Sequence, residues 1–255
     1  RATNRSTSDG GAFLNRGNLT LVRTLVTDNR DTASHAGGGV YNTPSGVLTV
    51  TDSQFVNNAS AAGGAIGNDG ILTIDRSTFD HNSQIGFSIG GGAIHNYAGA
   101  QSLTVTNSTF SFNSAQGPGG AIANNSTSPV TIQNSTFSAN TTVNPGGAIH
   151  SSGTGGLTLT NVTITLNSAS TGGGLVQSAG TVTLKNTVVA GNSATTANPD
   201  VSGALTSGGN NLIGIIGTAT GLTNGSNGNQ VGTSGSPLDA KLGTLALNNG
   251  TTKSH

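Results

Sequence analysis

The chain contains no cysteine, methionine, tryptophan or glutamate. Without cysteine it has neither a disulfide nor a thiolate metal site, so its stability must come from packing and hydrogen bonding. Charge is scarce too. Charged residues make up 7% of the 255, the acids are nine aspartates, and nine Lys and Arg bring the formal net charge to zero. Such a balance supports neither nucleic-acid binding nor attraction to an anionic membrane. No apolar run approaches the roughly 20 residues that a membrane-spanning helix needs, so no membrane insertion is expected, and no secretion signal is evident. The chain opens on Arg1, which reads as a processed protein or an excised fragment.

What is abundant is glycine, 41 residues of it. With so much Ser, Thr and Asn beside it, this composition alone would suit a low-complexity segment. Order in the sequence argues otherwise. Gly63-Gly64-Ala65-Ile66 returns as Gly91-Gly92-Ala93-Ile94, Gly119-Gly120-Ala121-Ile122 and Gly146-Gly147-Ala148-Ile149, with looser copies at Gly10, Gly37 and Gly172. The steps between the seven starts are 27, 26, 28, 28, 27 and 26 residues. A period of that size marks a solenoid, a propeller or an array.

A second block follows in each repeat, apolar-Thr-apolar, centred on Thr20, Thr49, Thr73, Thr104, Thr131, Thr158 and Thr183. This is the period-two pattern of a strand with one buried face. Five residues after its second apolar position stands Val26, Phe55, Phe79, Phe110, Phe137, Ile164 or Val189. Three residues further on, every copy has asparagine: Asn29, Asn58, Asn82, Asn113, Asn140, Asn167 and Asn192. The repeats therefore line up as columns. In a parallel β-helix, turns lie about 4.8 Å apart and equivalent side chains form ladders. The Phe column is expected to stack inside, and the Asn column to sit in a tight bend, each amide bonding its neighbours and tolerating a left-handed backbone. The double glycine suits a corner where a Cβ would collide with the adjacent coil.

The expected fold is all-β, a right-handed parallel β-helix of about eight or nine coils of about 27 residues with two or three faces. Residues 1–220 would form the coils, and 221–255 an irregular terminal coil, cap or linker of the same domain. Asp200-Val201 can stand in for a late corner, and Asn210 to Gly214 for one more strand.

The paired G-G-A-I and F-x-x-N signatures resemble the repeats of the chlamydial polymorphic membrane proteins, and equally those of bacterial secreted right-handed β-helix proteins. Asn211-Leu212-Ile213-Gly214, with Pro237-Leu238 and Gly243-Thr244-Leu245 onward, is similar to the end of the choice-of-anchor β-helix repeat proteins. These resemblances imply surface display, adhesion or scaffolding, in a secreted or cell-surface location.

An enzyme acting on polysaccharide would need clustered acids on adjacent coils of one open face. Three residues after the ladder Thr, a column reads Arg23, Asp52, Arg76, Asn107, Asn134, Asn161 and Asn186, expected as a stacked ion pair giving way to amides. Asp75, Asp80 and His81, in the same coil as Arg76, are the best catalytic candidates. His95 and His150 both follow a G-G-A-I block, but Ala123 holds the equivalent place between them. A separation near 10 Å is too large for shared metal ligation at about 2 Å each. The calcium-binding nonapeptide is missing as well, so no metal or other cofactor is expected. Thr49 with Thr51, Thr104 with Thr106 and Thr158 with Thr160 suggest an ice- or lattice-binding face, which Asp75, Gln133 and Lys185 interrupt; strand propensity and hydroxyl pairing between coils account for the Thr column.

The preferred reading is a non-enzymatic structural or adhesive element without a cofactor. Its partners would be copies of itself, paired through open β-helix ends, or flanking domains of a longer chain, and glycans or a host surface. A polysaccharide-binding or lyase-like role and ice binding stand as alternatives.

Overall fold

In the computed structural model, residues 10–31, 37–86 and 89–255 are described, together with the backbone pairing of 5–6. Any edge or cap preceding Gly10 thus falls outside the described residues, that one pairing apart.

Each regular coil runs through four short strands. The coil that begins at Gly63 has Ile66–Asn68, Ile71–Asp75, Thr78–Asp80 and Ser83–Gln84. Equivalent strands of successive coils pair in parallel and in register, giving three sheets of eight strands and one of nine. Leu72, for example, faces Leu48 on one side and Leu103 on the other, while Phe79 faces Phe55 and Phe110. The result is an all-β parallel solenoid of about seven turns, fewer than the eight or nine expected. Eight rungs enclose seven complete turns, and beyond Asp200 the strands shorten. The fourth sheet was not foreseen because its strands are mostly two residues long, too short for a period-two signal.

Alternation within the second strand sends Leu72 and Ile74 to the core and leaves Thr73 exposed. The core is a continuous column of aliphatic residues with Phe55, Phe79, Phe110 and Phe137 fully buried in it. Their rings stack at 4.9, 4.7 and 4.8 Å between centroids, within 9° of parallel. The rung spacing sets that distance.

Both glycines of the corner are required, for different reasons. Gly91 has φ +81°, open to glycine at no cost. Gly92 is hemmed in by the next coil, and a Cβ there would lie 2.0 Å from the carbonyl oxygen of Gly120.

The solenoid continues past residue 220. Gln230–Val231 adds the ninth strand to the Phe-bearing sheet, paired with Leu212–Ile213. The segment after Ser236 then runs back along the flank instead of extending the stack as a cap. Leu238 N donates to Gly214 O at 3.0 Å, Thr252 Oγ1 donates to Asn107 O at 2.9 Å, and His255 Nε2 meets Ser138 Oγ at 2.8 Å. Beneath this strap Thr109, Ser111, Thr136 and Ser138 are buried although they project outward from their sheet.

Candidate functional site

The chemistry-bearing side chains fall on two faces. One is the bend between the Thr-bearing and Phe-bearing sheets, where Arg23, Asp52, Arg76, Asn107, Asn134, Asn161 and Asn186 occupy one corner position, all left-handed with φ between +43° and +56°. Asparagine tolerates that conformation best among non-glycine residues, which explains its frequency in this column. Arg76 Nε and Nη2 donate to Asp52 Oδ1 and Oδ2 at 2.7 and 3.0 Å, and Arg76 Nη1 also contacts Asp75. The hydrogen bond from Arg76 holds the Asp52 carboxyl below its ordinary range, and the charges of Arg76 and Arg23 act in the same direction. Arg23 thus reaches Asp52 as a charge, while Arg76 is the one that grips it.

Beyond Arg76 the column becomes a line of exposed amides. Asn186 donates to Asn161, Asn161 to Asn134 and Asn134 to Asn107, at 2.8, 2.9 and 3.2 Å. Asn107 then donates to Asp75 Oδ1 at 2.8 Å, an oxygen that also accepts from Thr106 Oγ1 at 2.8 Å. Burial raises the Asp75 carboxyl, but those two donors and Arg76 outweigh it and leave the group below its ordinary range. Asp75 is therefore a carboxylate with both oxygens engaged, poorly placed to take a proton from a substrate.

Asp80 and His81 lie past the corner, in and just after the Phe-bearing strand. His81 Nδ1 is 2.7 Å from Asp80 Oδ2, Asp80 Oδ1 accepts from Ser111 Oγ, and the His81 ring stacks on Phe112 at 5.0 Å. Among the described residues no hydrogen bond joins Asp75 to Asp80 or to His81. The three share a coil, as their spacing requires, without forming one constellation.

The interior amides are more orderly. Each Nδ2 of Asn29, Asn58, Asn82, Asn113, Asn140 and Asn167 donates to the Oδ1 of the next Asn at 2.8 to 3.0 Å. The backbone N–H of each donates to that same oxygen. From Asn58 on, the other Nδ2 hydrogen goes to a backbone carbonyl of the previous coil, such as Phe55 O from Asn82 at 2.9 Å. Contrary to expectation, these asparagines are not the left-handed residues of the bend. The residue before each one is: Asp28, Asn57, His81, Phe112, Ala139 and Leu166 have φ between +53° and +60°. The amide reaches neighbouring coils from an ordinary backbone, while its predecessor makes the turn.

A second buried amide ladder escaped the sequence reading. Asn15 donates to Asn42, Asn42 to Asn68 and Asn68 to Asn96, each at 2.8 Å, and Asn96 to Asn124 at 2.9 Å. Its signal was present, an Asn two residues after the Ile of G-G-A-I. A serine ladder was also missed: the backbone N–H groups of Ser53, Ser77 and Ser108 each donate to the next serine's Oγ at 3.1 Å. In the Thr column, from Thr20 through Thr49, Thr73, Thr104, Thr131 and Thr158 to Thr183, no hydrogen bond links neighbours among the described residues. Strand propensity and an outward position account for that column without the hydroxyl pairing expected.

The second face is the outer side of the G-G-A-I sheet. His95, Ala123 and His150 are paired in sequence across three rungs and line a notch of about 370 Å³ with Tyr97, Asn125 and Ser152. His95 is buried, its Nδ1 3.2 Å from Gly90 O, and burial lowers its pKa to about 4. His150 is shifted in the same direction by the same cause. Among the described residues, no group of three or more His and acidic side chains is arranged to hold a metal ion.

No curated protein and no solved structure matches the chain. The narrower likenesses to chlamydial polymorphic membrane proteins and choice-of-anchor proteins therefore gain no support from these comparisons. One family model does match, described as the right handed beta helix region, over residues 3–164 and again, displaced along the repeats, over 38–234. That span, together with in-register parallel coils of about 27 residues, makes the chain a member of the right-handed β-helix family.

Proposed function

We propose that this chain is a non-enzymatic structural and adhesive β-helix, secreted by a bacterium and displayed at its surface. The observation that carries this reading is the use made of the carboxylates. Asp75 ends a line of amides, Asp52 is gripped by Arg76, and Asp80 is engaged by both Ser111 and His81. Side chains committed to holding coils together are unavailable as a poised acid and base. Glycans or a host surface are the partners in this reading, and open strand edges or flanking domains would supply assembly.

The deciding experiment incubates the chain with insoluble pectin, alginate and related glycans, measuring both retention on the solid and released products. Retention without turnover is expected, unchanged in Asp75→Asn and Asp80→Asn. Product formation that either substitution abolishes would overturn the reading. It would favour a carbohydrate-active enzyme, for which the His81–Asp80 pair is the best support. Negative-stain images over a concentration series test assembly: filaments are expected, and discrete particles throughout would remove head-to-tail stacking.

A further inference from the structure

The bend after the Phe-bearing strands carries residues that folding alone does not explain. Asp28, Asn57, His81, Phe112, Ala139 and Leu166 follow one another there, one per coil, and all are left-handed. Asparagine and aspartate tolerate that backbone, whereas for phenylalanine and leucine it costs about 1–2 kcal/mol each. Burial would offset the strain, but Phe112 is 49% exposed and Leu166 59%. Strain kept without packing to offset it is a feature of ligand-binding surfaces.

Both residues open onto one groove between the solenoid and the strap. It measures about 530 Å³, with Phe112, Ala139 and Leu166 on one side and Leu242 and Leu245 on the other. Its size lies within the range of small-molecule sites, about 300–1,000 Å³. Phe112 has one ring face covered, by His81 at 5.0 Å between centroids and 16° from parallel. Ala139 succeeds it in the column with only a methyl group, so the opposite face is open to the groove. The core phenyls, 4.7 to 4.9 Å apart, show the spacing at which another ring stacks on such a face. No Asp, Lys or Arg side chain lines the groove. His255, at its edge, has both ring nitrogens engaged, Nδ1 with Gly243 O at 2.7 Å and Nε2 with Ser138 Oγ at 2.8 Å. A charged ligand would find no counter-charge among these side chains.

We infer that this groove binds a small uncharged molecule carrying one aromatic ring, stacked on the free face of Phe112 over Ala139 and held between Leu166 and the strap leucines. The inference rests neither on surface display nor on adhesion to glycans.

The test titrates the ¹⁵N-labelled chain with benzyl alcohol, with cyclohexylmethanol as its saturated counterpart and benzoate as its charged one. Saturable shifts of the Ala139, Leu166 and Leu245 amide signals are expected with benzyl alcohol. Loss of stacking should weaken cyclohexylmethanol about two- to tenfold, and benzoate should also bind more weakly. No saturable shift with benzyl alcohol overturns the inference, and equal or tighter binding of either counterpart overturns the assignment of an uncharged aromatic ligand. Leu166→Asn and Phe112→Asn separate binding from folding, since each gives the left-handed position a residue that suits it. Both should melt at or above the parent temperature and bind benzyl alcohol about fivefold more weakly. Unchanged affinity in either variant overturns the inference. Should either melt below the parent, Leu245→Ser, from the opposite wall, takes its place with the same expectation and the same overturning result.

Discussion

Asn192 donates an Nδ2 hydrogen to Asp200 Oδ1 at 2.8 Å, closing the line of buried amides that runs, among the described residues, from Asn29. Each amide in the line passes a donor to the next coil, so the last one needs an acceptor that brings no hydrogen of its own. A carboxylate supplies it. Asp200 Oδ1 also accepts from Asn192 N at 3.0 Å, and Oδ2 accepts from Ile215 N at 2.7 Å. The exposed amide line runs the other way along the solenoid and ends in the same manner on Asp75, with Asn107 donating at 2.8 Å. Head-to-tail amides polarise one another, which strengthens each bond beyond an isolated pair.

Replacing Asp200 tests this termination. In Asp200→Asn one oxygen becomes an NH₂ group, so either Asn192 or Ile215 N faces a donor instead of an acceptor. An unsatisfied buried group costs about 1–3 kcal/mol. Urea denaturation should show a loss of that size, and Asp200→Ala should lose at least as much. An unchanged midpoint in both variants would show that the ladder needs no terminal acceptor.

Phe110 and Leu166 should respond in opposite directions. Phe110→Ala removes a ring stacked on both sides in a sealed core, which costs about 3–5 kcal/mol. Leu166 is left-handed, with φ +60°, and 59% exposed. Leu166→Asn relieves strain of roughly 1–2 kcal/mol and exposes little new apolar surface. Thermal melts of the two variants against the parent check both signs.

The corner glycine argument is equally direct. Gly92→Ala drives a Cβ to 2.0 Å from Gly120 O, a backbone atom of the next coil's corner, and should destabilise by about 3 kcal/mol or prevent folding. A Cβ on Gly17 would meet no atom within 4 Å, and Gly17 has no positive φ. Gly17→Ala should be neutral or stabilise by up to about 1 kcal/mol. Circular dichroism with denaturant titration distinguishes the two.

Acid sensitivity should arise well above the ordinary carboxylate range. His95 is buried and neutral, with its pKa lowered from 6.5 to about 4. The unfolded chain takes up this proton as pH falls through 6.5, and the folded chain does not until about 4. Stability is therefore complete above 6.5 and declines between 6.5 and 4, by about 3 kcal/mol in all. Denaturant midpoints across that window should fall, and His95→Gln should flatten the slope. An identical slope in the variant would assign the effect to other groups.

Much of this was legible from repetition alone. The 27-residue spacing brought Phe55, Phe79, Phe110 and Phe137 into one column, and the asparagines after them into another. A column predicts contact without describing its geometry. The two-residue strands such as Ser83–Gln84 gave no periodic signal, so a fourth sheet went unseen. The partners of Asp75, Thr106 and Asn107, sit a full coil away, so a reading along one coil did not reveal them.

The sequence by itself determined the period, the parallel stacking and the identity of most ladder residues, because identical side chains one coil apart must meet when each turn lies on the last. Only the tertiary structure decided which way each ladder donates, where it ends on a carboxylate, and what the single-copy residues do. Asp200 and the strap from Ser236 to His255 have no counterparts in other coils. Their roles follow from what lies beside them in space, such as Ser138 against His255, 117 residues apart in the chain, and a repeat pattern carries no information about such pairs.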